Sequence, residues 1–172
     1  MQTREELSII WDYWKPRHTH SWNMFVISSN ELQSKIPTDA FETEYAWENY
    51  IIRLWLYRTT IRTLLNLHPI KSQVSATLKE FDAIFSENGK NTLKALRDMI
   101  EHFDDYASGK GRGPAQRNTD LDPWRCILPD KYERGQFKID RNASLIAANN
   151  LRLNAKKNSA EFITWFHTNK ET

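Results

Sequence analysis

The sequence has only one cysteine, Cys126, among its 172 residues. An intrachain disulfide and a zinc site built from cysteines are therefore both excluded. No recognisable motif surrounds Cys126 in the stretch WRCILP, so a catalytic thiol is not expected there. With five glycines and six prolines, the chain also lacks the composition of a collagen-like or low-complexity protein.

Long apolar runs and a strong net charge are absent as well. No segment approaches the roughly 20 apolar residues that a membrane-spanning helix needs, and the N-terminus lacks the apolar core and cleavage site of a secretory signal. The sequence therefore predicts a soluble protein of the cytoplasm with no membrane contact. The net charge of +2 disfavours a protein that coats nucleic acid through its overall charge, but it leaves room for a local basic patch.

Bulky core material and helical periodicity are what the chain does contain. Hydrophobic residues make up 40% of it, including seven Trp, six Tyr and eight Phe, which is enough for one domain with a substantial core. Apolar residues recur at spacings of three and four, which predicts helices, and Pro16 predicts a break between the first two. The predicted helices cover residues 3–14, 21–36, 40–67, 70–85, 92–107 and 142–169.

Capping residues and inward faces can also be predicted for these helices. Thr38 or Asp39 is expected to cap the third helix and Asn142 the last one. Helical spacing favours core packing over base stacking for the tryptophans, which are Trp11, Trp14, Trp22, Trp47 and Trp55. The predicted inward residues of the third helix are Phe41, Tyr45, Ile52, Trp55, Leu56, Ile61, Leu64 and Leu65. Those of the last helix are Leu145, Ile146, Leu151, Leu153, Phe162, Ile163 and Phe166.

The segment before the last helix breaks the helical pattern. Gly, Arg, Asn, Asp and Pro dominate residues 108–123, and two short β-capable runs follow, WRCILP and GQFKID, separated by DKYERG. The predicted fold class is therefore all-α, an antiparallel helical bundle with a loop and a small β-hairpin before the C-terminal helix. We expect a single domain over 1–172, with the bundle in 1–107, the loop and hairpin in 108–141 and the last helix in 142–169.

One stretch, LRDMIEHFDDYASGKGRGP, is the best candidate for chemistry. On a helical wheel the pairs Arg97–Glu101 and Asp98–His102 are one turn apart, on the faces away from the core. A structural interpretation is a surface ion pair plus a hydrogen bond between Asp98 and His102, with the carboxylate accepting. A functional interpretation is an imidazole oriented by a carboxylate, suited to acid–base work, beside a guanidinium suited to a phosphate.

RNA is a fitting substrate for such a pair, because its 2′-hydroxyl is the nucleophile and the protein need only move protons and stabilise charge. Arg97 and His102 are five residues apart, so a regular helix separates their directions by roughly 140°. A symmetric homodimer would allow two copies of the helix to face one phosphate.

The stretch RDMIEH resembles the R-x4-6-H motif of the HEPN superfamily. These are all-α proteins, many of them metal-independent ribonucleases of toxin–antitoxin and antiphage systems, with the motif late in the bundle and often a small polar residue after the arginine. The resemblance implies that Arg97, Asp98 and His102 are the catalytic residues, with His102 handling protons and Arg97 holding the scissile phosphate. It also implies a homodimer, no cofactor, and an antitoxin or another regulatory protein as a candidate partner.

Residues around this motif suggest how RNA would be held. In SGKGRGP, glycines and bases could wrap a phosphate, but the strand–loop–helix setting of a P-loop is missing. If the helix cuts RNA, the expected substrate-binding residues are Tyr106, Lys110, Arg112 and Arg117. The alternative function is a non-catalytic helical interaction module, in which the helix around His102 is a docking face.

Two further histidines, His18 and His20, are spaced two residues apart. Such a pair can begin a metal site, but no third ligand follows nearby, so a role at a helix boundary is favoured. No metal site is predicted.

Overall fold

The computed structural model describes residues 2–35, 40–87, 90–102, 128, 130–135 and 137–169. Its helices are α1 (Arg4–Lys35), α2 (Ala40–Arg62), α3 (Lys71–Ile84), α4 (Thr92–Glu101) and α5 (Arg141–Thr168). Two 3-10 turns, Thr63–Asn66 and His68–Ile70, connect α2 to α3. The strands are β1 (Ser86–Glu87), β2 (Lys90–Asn91), β3 (Lys131–Arg134) and β4 (Phe137–Asp140), which form two antiparallel hairpins. The predicted all-α fold class is confirmed for these residues.

Helices α1 and α2 run antiparallel along most of their length. The indole N–H of Trp14, in the first half of α1, donates to the carbonyl oxygen of Thr60 near the end of α2 at 3.1 Å. At the other end, the side-chain amide of Asn49 donates to Glu31 at 3.2 Å. Large aromatic side chains fill the space between the helices, so burial of apolar surface is what holds the pair together.

Helix α5 closes the bundle against α1 and α3. The rings of Trp11 and Phe162 lie 5.2 Å apart, and Arg141 at the start of α5 donates to Gln33 at the end of α1 at 3.1 Å, so these two helices are also antiparallel. The face of α5 that points into the bundle contains Leu151, Asn158 and Phe162, and its other buried residues are small, which lets neighbouring helices approach closely. The small residues are Ser144, Ala147, Ala148, Ala155 and Ser159.

The predicted helix break at Pro16 is wrong, because α1 is continuous and contains Pro16. An internal proline costs roughly 3 kcal/mol, since it has no N–H for the helix and its ring crowds the preceding turn. Trp14 and Trp22 lie on either side of it and are both buried, and two large aromatic side chains offset that cost. Pro16 itself is exposed, as is Asp12, whose carbonyl loses its helical partner and faces water instead.

Some of the predicted inward residues of α2 and α5 are in fact exposed. Phe41 is 82% exposed and Tyr45 68%, while Trp47, at 0%, lies in the core. The buried apolar face of α2 consists of Ala46, Trp47, Tyr50, Ile51, Leu54, Tyr57 and Ile61. The other residues predicted inward that are exposed are Leu56, Ile146, Leu153 and Ile163. For α3 the predicted inward residues are correct, and Val74, Leu78, Phe81 and Phe85 are all buried.

The small hairpin exists, but its first strand is not the predicted one. The run KYER, predicted to be the connection, forms β3 and pairs with FKID in β4. Gly135 begins the tight turn with a φ of 59°, a conformation that glycine adopts without steric cost. Most of WRCILP, including Cys126, lies outside the described residues, as do residues 36–39 and 103–127.

The start of α5 is also shifted from the prediction. The carboxylate of Asp140 accepts a hydrogen bond from the backbone N–H of Ala143 at 2.7 Å, so Asp140 is the N-cap and Asn142 is not. The cap is therefore the last residue of β4, and the strand passes directly into the helix.

None of the described helices has a stretch that is both long and apolar enough to span a bilayer.

Candidate functional site

The sequence motif lies on α4, a short helix with two chemically distinct faces. Leu93, Leu96 and Met99 are buried and attach the helix to the core. Its start is fixed by Asn91, the last residue of β2, whose side-chain oxygen accepts from the backbone N–H of Lys94 at 2.8 Å. The charged residues of the motif therefore occupy the outer face of a helix anchored along its length.

Arg97 is held on that outer face by two carboxylates. One terminal nitrogen contacts Asp98 at 2.7 Å, and the other contacts Glu101 at 2.7 Å, which is the ion pair predicted one turn away. The guanidinium carbon lies 5.7 Å from the ring centroid of Trp55, and the side chain is 27% exposed. The guanidinium is therefore fixed in orientation, with an aromatic ring behind it.

Trp55 is a feature of this site that the sequence reasoning missed. It was assigned to the core stripe of α2, whereas it is half-buried and lies near two guanidinium groups. Arg58 lies 5.1 Å from the same ring and binds Asp82 through two hydrogen bonds. Because Trp55 and Arg58 are three positions apart on one helix, their contact could have been predicted from the sequence. The contact of Trp55 with Arg97 could not, because Arg97 lies on another helix.

Asp98 is ionised and forms ion pairs with Lys94 and Arg97. Burial alone would raise its pKa, but hydrogen bonds and charge from Lys94 and Arg97 outweigh burial and lower the pKa below the usual aspartate value. The carboxylate bridges the two cations, so at neutral pH Asp98 orients Arg97.

His102 ends α4 and is exposed. Its backbone N–H still donates to the carbonyl oxygen of Asp98 at 3.0 Å, but its φ of −120° lies outside the helical region. The direction of its side chain therefore departs from that of a residue inside a regular helix. The imidazole makes no hydrogen bond with any described residue, so the predicted bond in which the Asp98 carboxylate accepts from it is not formed.

Four further residues were predicted to bind the substrate. Tyr106, Lys110, Arg112 and Arg117 lie outside the described residues.

No family model, no curated protein and no solved structure matches the chain. The residues of α4 and the contacts around them are therefore the basis for a functional proposal.

The pair His18 and His20 does not lie at a helix boundary, because α1 continues through both residues. His20 is exposed, whereas His18 is half-buried between helices and its Nε2 lies 3.2 Å from the hydroxyl of Tyr57. Burial, followed by the charges of Arg152 and Lys156, lowers the pKa of His18 to about 4. Within the described part of the chain, no three His, Cys, Asp or Glu side chains are grouped closely enough to hold a metal ion.

The lowered pKa of His18 predicts a loss of stability on mild acidification. Its pKa is about 4 in the folded chain and 6.5 when unperturbed, so the unfolded chain binds the proton first as the pH falls. The stabilisation from a neutral His18 is complete above pH 6.5 and is lost as the pH falls toward 4. With solvent screening at this half-buried position, we expect about 1–2 kcal/mol.

Urea unfolding at pH 7 and pH 4.5 measures this effect. Other titratable groups contribute equally to the pH dependence of the wild type and of single histidine variants, so a difference between them reports on the histidine replaced. His18→Gln should reduce the pH dependence, and His20→Gln should leave it at the wild-type value. Equal pH dependence in wild type and His18→Gln would show that His18 is not held neutral by its surroundings.

Proposed function

We propose that the protein is a metal-independent endoribonuclease in which Arg97 and His102 act on one phosphate of RNA. One observation at the end of α4 carries this proposal. The guanidinium of Arg97 is fixed beside the ring of Trp55, and the exposed imidazole of His102 follows it in the chain. The similarity of RDMIEH to the HEPN motif supports the same assignment of residues.

The chemistry needs no group beyond those present in the protein and in RNA. The 2′-oxygen attacks the neighbouring phosphorus, the bond from phosphorus to the 5′-oxygen breaks, and a 2′,3′-cyclic phosphate and a 5′-hydroxyl remain. An imidazole takes the proton of the 2′-hydroxyl, and an imidazolium gives a proton to the departing 5′-oxygen. Arg97 stabilises the negative charge that builds on the phosphate oxygens, and Asp98 orients Arg97.

A homodimer forms part of the proposal. A single imidazole cannot be a base and an acid in the same step, whereas a symmetric dimer supplies two copies of His102 at one cleft. Lys110, Arg112 and Arg117 would hold the RNA backbone, and Tyr106 would contact RNA beside His102. We further propose that the enzyme acts in the cytoplasm and that an antitoxin or another regulatory protein restrains it.

One observation favours the second candidate, a non-catalytic interaction module. Both terminal nitrogens of Arg97 already contact carboxylates, so a phosphate has to compete with Asp98 and Glu101 for the guanidinium. In this alternative the charged face of α4 binds a protein partner, and the ion pairs keep that face ordered.

Incubation with end-labelled RNA in excess EDTA tests the proposal. A matched oligonucleotide carries 2′-O-methyl groups at every position, so that it offers the same phosphates without a nucleophile. We expect cleavage of the RNA only, with products ending in a 2′,3′-cyclic phosphate. Cleavage that EDTA abolishes, or no cleavage of either oligonucleotide by the purified dimer, would contradict the nuclease and leave the interaction module.

A further inference from the structure

Three helices bring a second group of polar residues together in the middle of the bundle. His18 comes from α1 and Tyr57 from α2, with His18 Nε2 3.2 Å from the Tyr57 hydroxyl. Arg152 of α5 lies 4.4 Å from the ring of Trp22, and that ring lies 5.1 Å from the ring of Tyr57. Lys156 follows Arg152 one turn later on α5. None of these residues belongs to the proposed nuclease site on α4.

The imidazole of His18 is fixed in position and presents a free donor. Its ring stacks on Trp14 with 4.6 Å between centroids, and its Nε2 lies 3.2 Å from the Tyr57 hydroxyl. Burial raises the pKa of Tyr57, so the phenol keeps its proton. This hydroxyl has no other acceptor among the described residues, which favours donation to Nε2. The proton of the neutral imidazole then resides on Nδ1, which has no partner in the described part of the chain.

Arg152 is a half-buried cation without a carboxylate. Its guanidinium carbon lies 4.4 Å from the ring centroid of Trp22, and its Nε is buried with no hydrogen-bond partner among the described residues. Arg58 and Arg97 are also partly buried, but each contacts at least one carboxylate. The Nε of Arg97 is likewise buried without a hydrogen-bond partner among the described residues, so the missing carboxylate is what distinguishes Arg152. Within the described residues neither Arg152 nor Lys156 has such a contact, and the charges that act on His18 are these two cations.

This arrangement favours the binding of an anion. Like charges one turn apart on a helix repel each other, and a half-buried guanidinium without its hydrogen bonds loses part of its solvation. A guanidinium, an ammonium and an imidazole N–H together offer donors of the kind that bind the several oxygens of a phosphate.

We propose that His18, Arg152 and Lys156 form a binding site for a phosphate group, with Tyr57 as the residue that positions His18. Tyr57 is fully buried and acts only through the imidazole. The phosphate belongs either to a small molecule or to the backbone of RNA, and both present the same oxygens to these donors. The site does not depend on the proposed nuclease function.

Titration with inorganic phosphate, with sodium chloride at equal ionic strength as the reference, tests this site. In the wild-type NMR spectrum the imidazole signals of His18 should move with phosphate and those of His20 should not. Arg152→Gln and Lys156→Gln should each weaken phosphate binding, Arg152→Gln by tenfold or more. Lys157→Gln is the matched control, because Lys157 is the exposed neighbour of Lys156 and has no contact with His18.

A 2′-O-methyl RNA oligonucleotide, with the same variants, separates the two sources of phosphate. Weaker oligonucleotide binding in Arg152→Gln, with little binding of free phosphate, identifies the RNA backbone as the ligand. If Arg152→Gln does not fold, Lys156→Gln, an exposed position, gives the same readout. The proposal is overturned if phosphate and chloride have equal effects and the oligonucleotide binds both variants like wild type.

Discussion

Replacement of His102 by alanine is expected to lower the rate of RNA cleavage by about 10²–10⁴-fold. This is the range that a positioned general acid or base contributes. The side chain is exposed and makes no hydrogen bond with any described residue, so the free energy of unfolding should stay within about 0.5 kcal/mol of wild type. A loss of cleavage without a loss of stability would therefore report on chemistry.

Arg97→Ala should lower the rate by about 10²–10³-fold, as expected when a donor to the developing negative charge is removed. Arg97→Lys keeps the charge but loses the planar fork, so it should recover only part of the activity. The measurement is single-turnover cleavage of a labelled RNA in EDTA.

His20→Ala and Arg62→Ala are the matched controls for these two substitutions. Both residues are exposed and lie on other helices. Equal cleavage in His102→Ala and His20→Ala would mean that the observed activity does not come from the α4 site.

Trp47→Ala should lower the free energy of unfolding by about 3–5 kcal/mol, the range for a fully buried aromatic residue. Trp47 is 0% exposed and packs edge-on against Tyr50 with 5.6 Å between ring centroids. Its indole N–H donates to the carbonyl oxygen of Leu128 at 3.0 Å, so the residue also joins α2 to the segment before β3. A loss of this size is a large part of the stability of an ordinary domain.

Urea denaturation of a small set of variants separates the contributions of Trp47. Trp47→Phe keeps most of the apolar surface and removes only the indole hydrogen bond, because the Leu128 carbonyl also accepts from the backbone N–H of Lys131 at 3.3 Å. The loss should therefore be about 0.5–1.5 kcal/mol, the range for a single hydrogen bond. Tyr45→Ala is the control on the same helix, and because Tyr45 is 68% exposed the change should be within about 0.5 kcal/mol. Equal losses in Trp47→Ala and Tyr45→Ala would contradict the orientation of α2 described above.

The parts of the fold that follow from local sequence were predictable. The face of α3, with Val74, Leu78 and Phe81, has regular helical spacing and no competing large residue on its other side. The interval between the predicted helices 70–85 and 92–107 contains the β1–β2 hairpin. In both cases the decisive residues are close together in the chain.

Tertiary packing decided the features that were not predicted. Pro16 is tolerated because Trp14 and Trp22 are buried on either side of it, which no local rule contains. Tyr45 and Trp47 are both large aromatic residues of α2, but only Trp47 lies on the face that the rest of the protein covers. At the start of α5, Asp140 caps the helix because β4 leads directly into it.

In the candidate site, too, local contacts could be predicted and contacts between helices could not. The Arg97–Glu101 pair follows from a spacing of four on one helix and could be predicted. The position of Trp55 beside Arg97 and the contact of His18 with Tyr57, 39 positions apart, depend on helix pairing and could not. Sequence reasoning therefore predicted the charged outer face of α4 but not the aromatic residues that lie beside the basic ones.

The structure of the wild-type protein bound to a 2′-O-methyl RNA, which cannot be cleaved by its own 2′-oxygen, tests the central claim most directly. We predict that one phosphate accepts hydrogen bonds from the Arg97 guanidinium in place of Glu101 and lies within hydrogen-bond reach of a His102 imidazole. RNA bound away from α4, with Arg97 still paired to both Asp98 and Glu101, would contradict the claim.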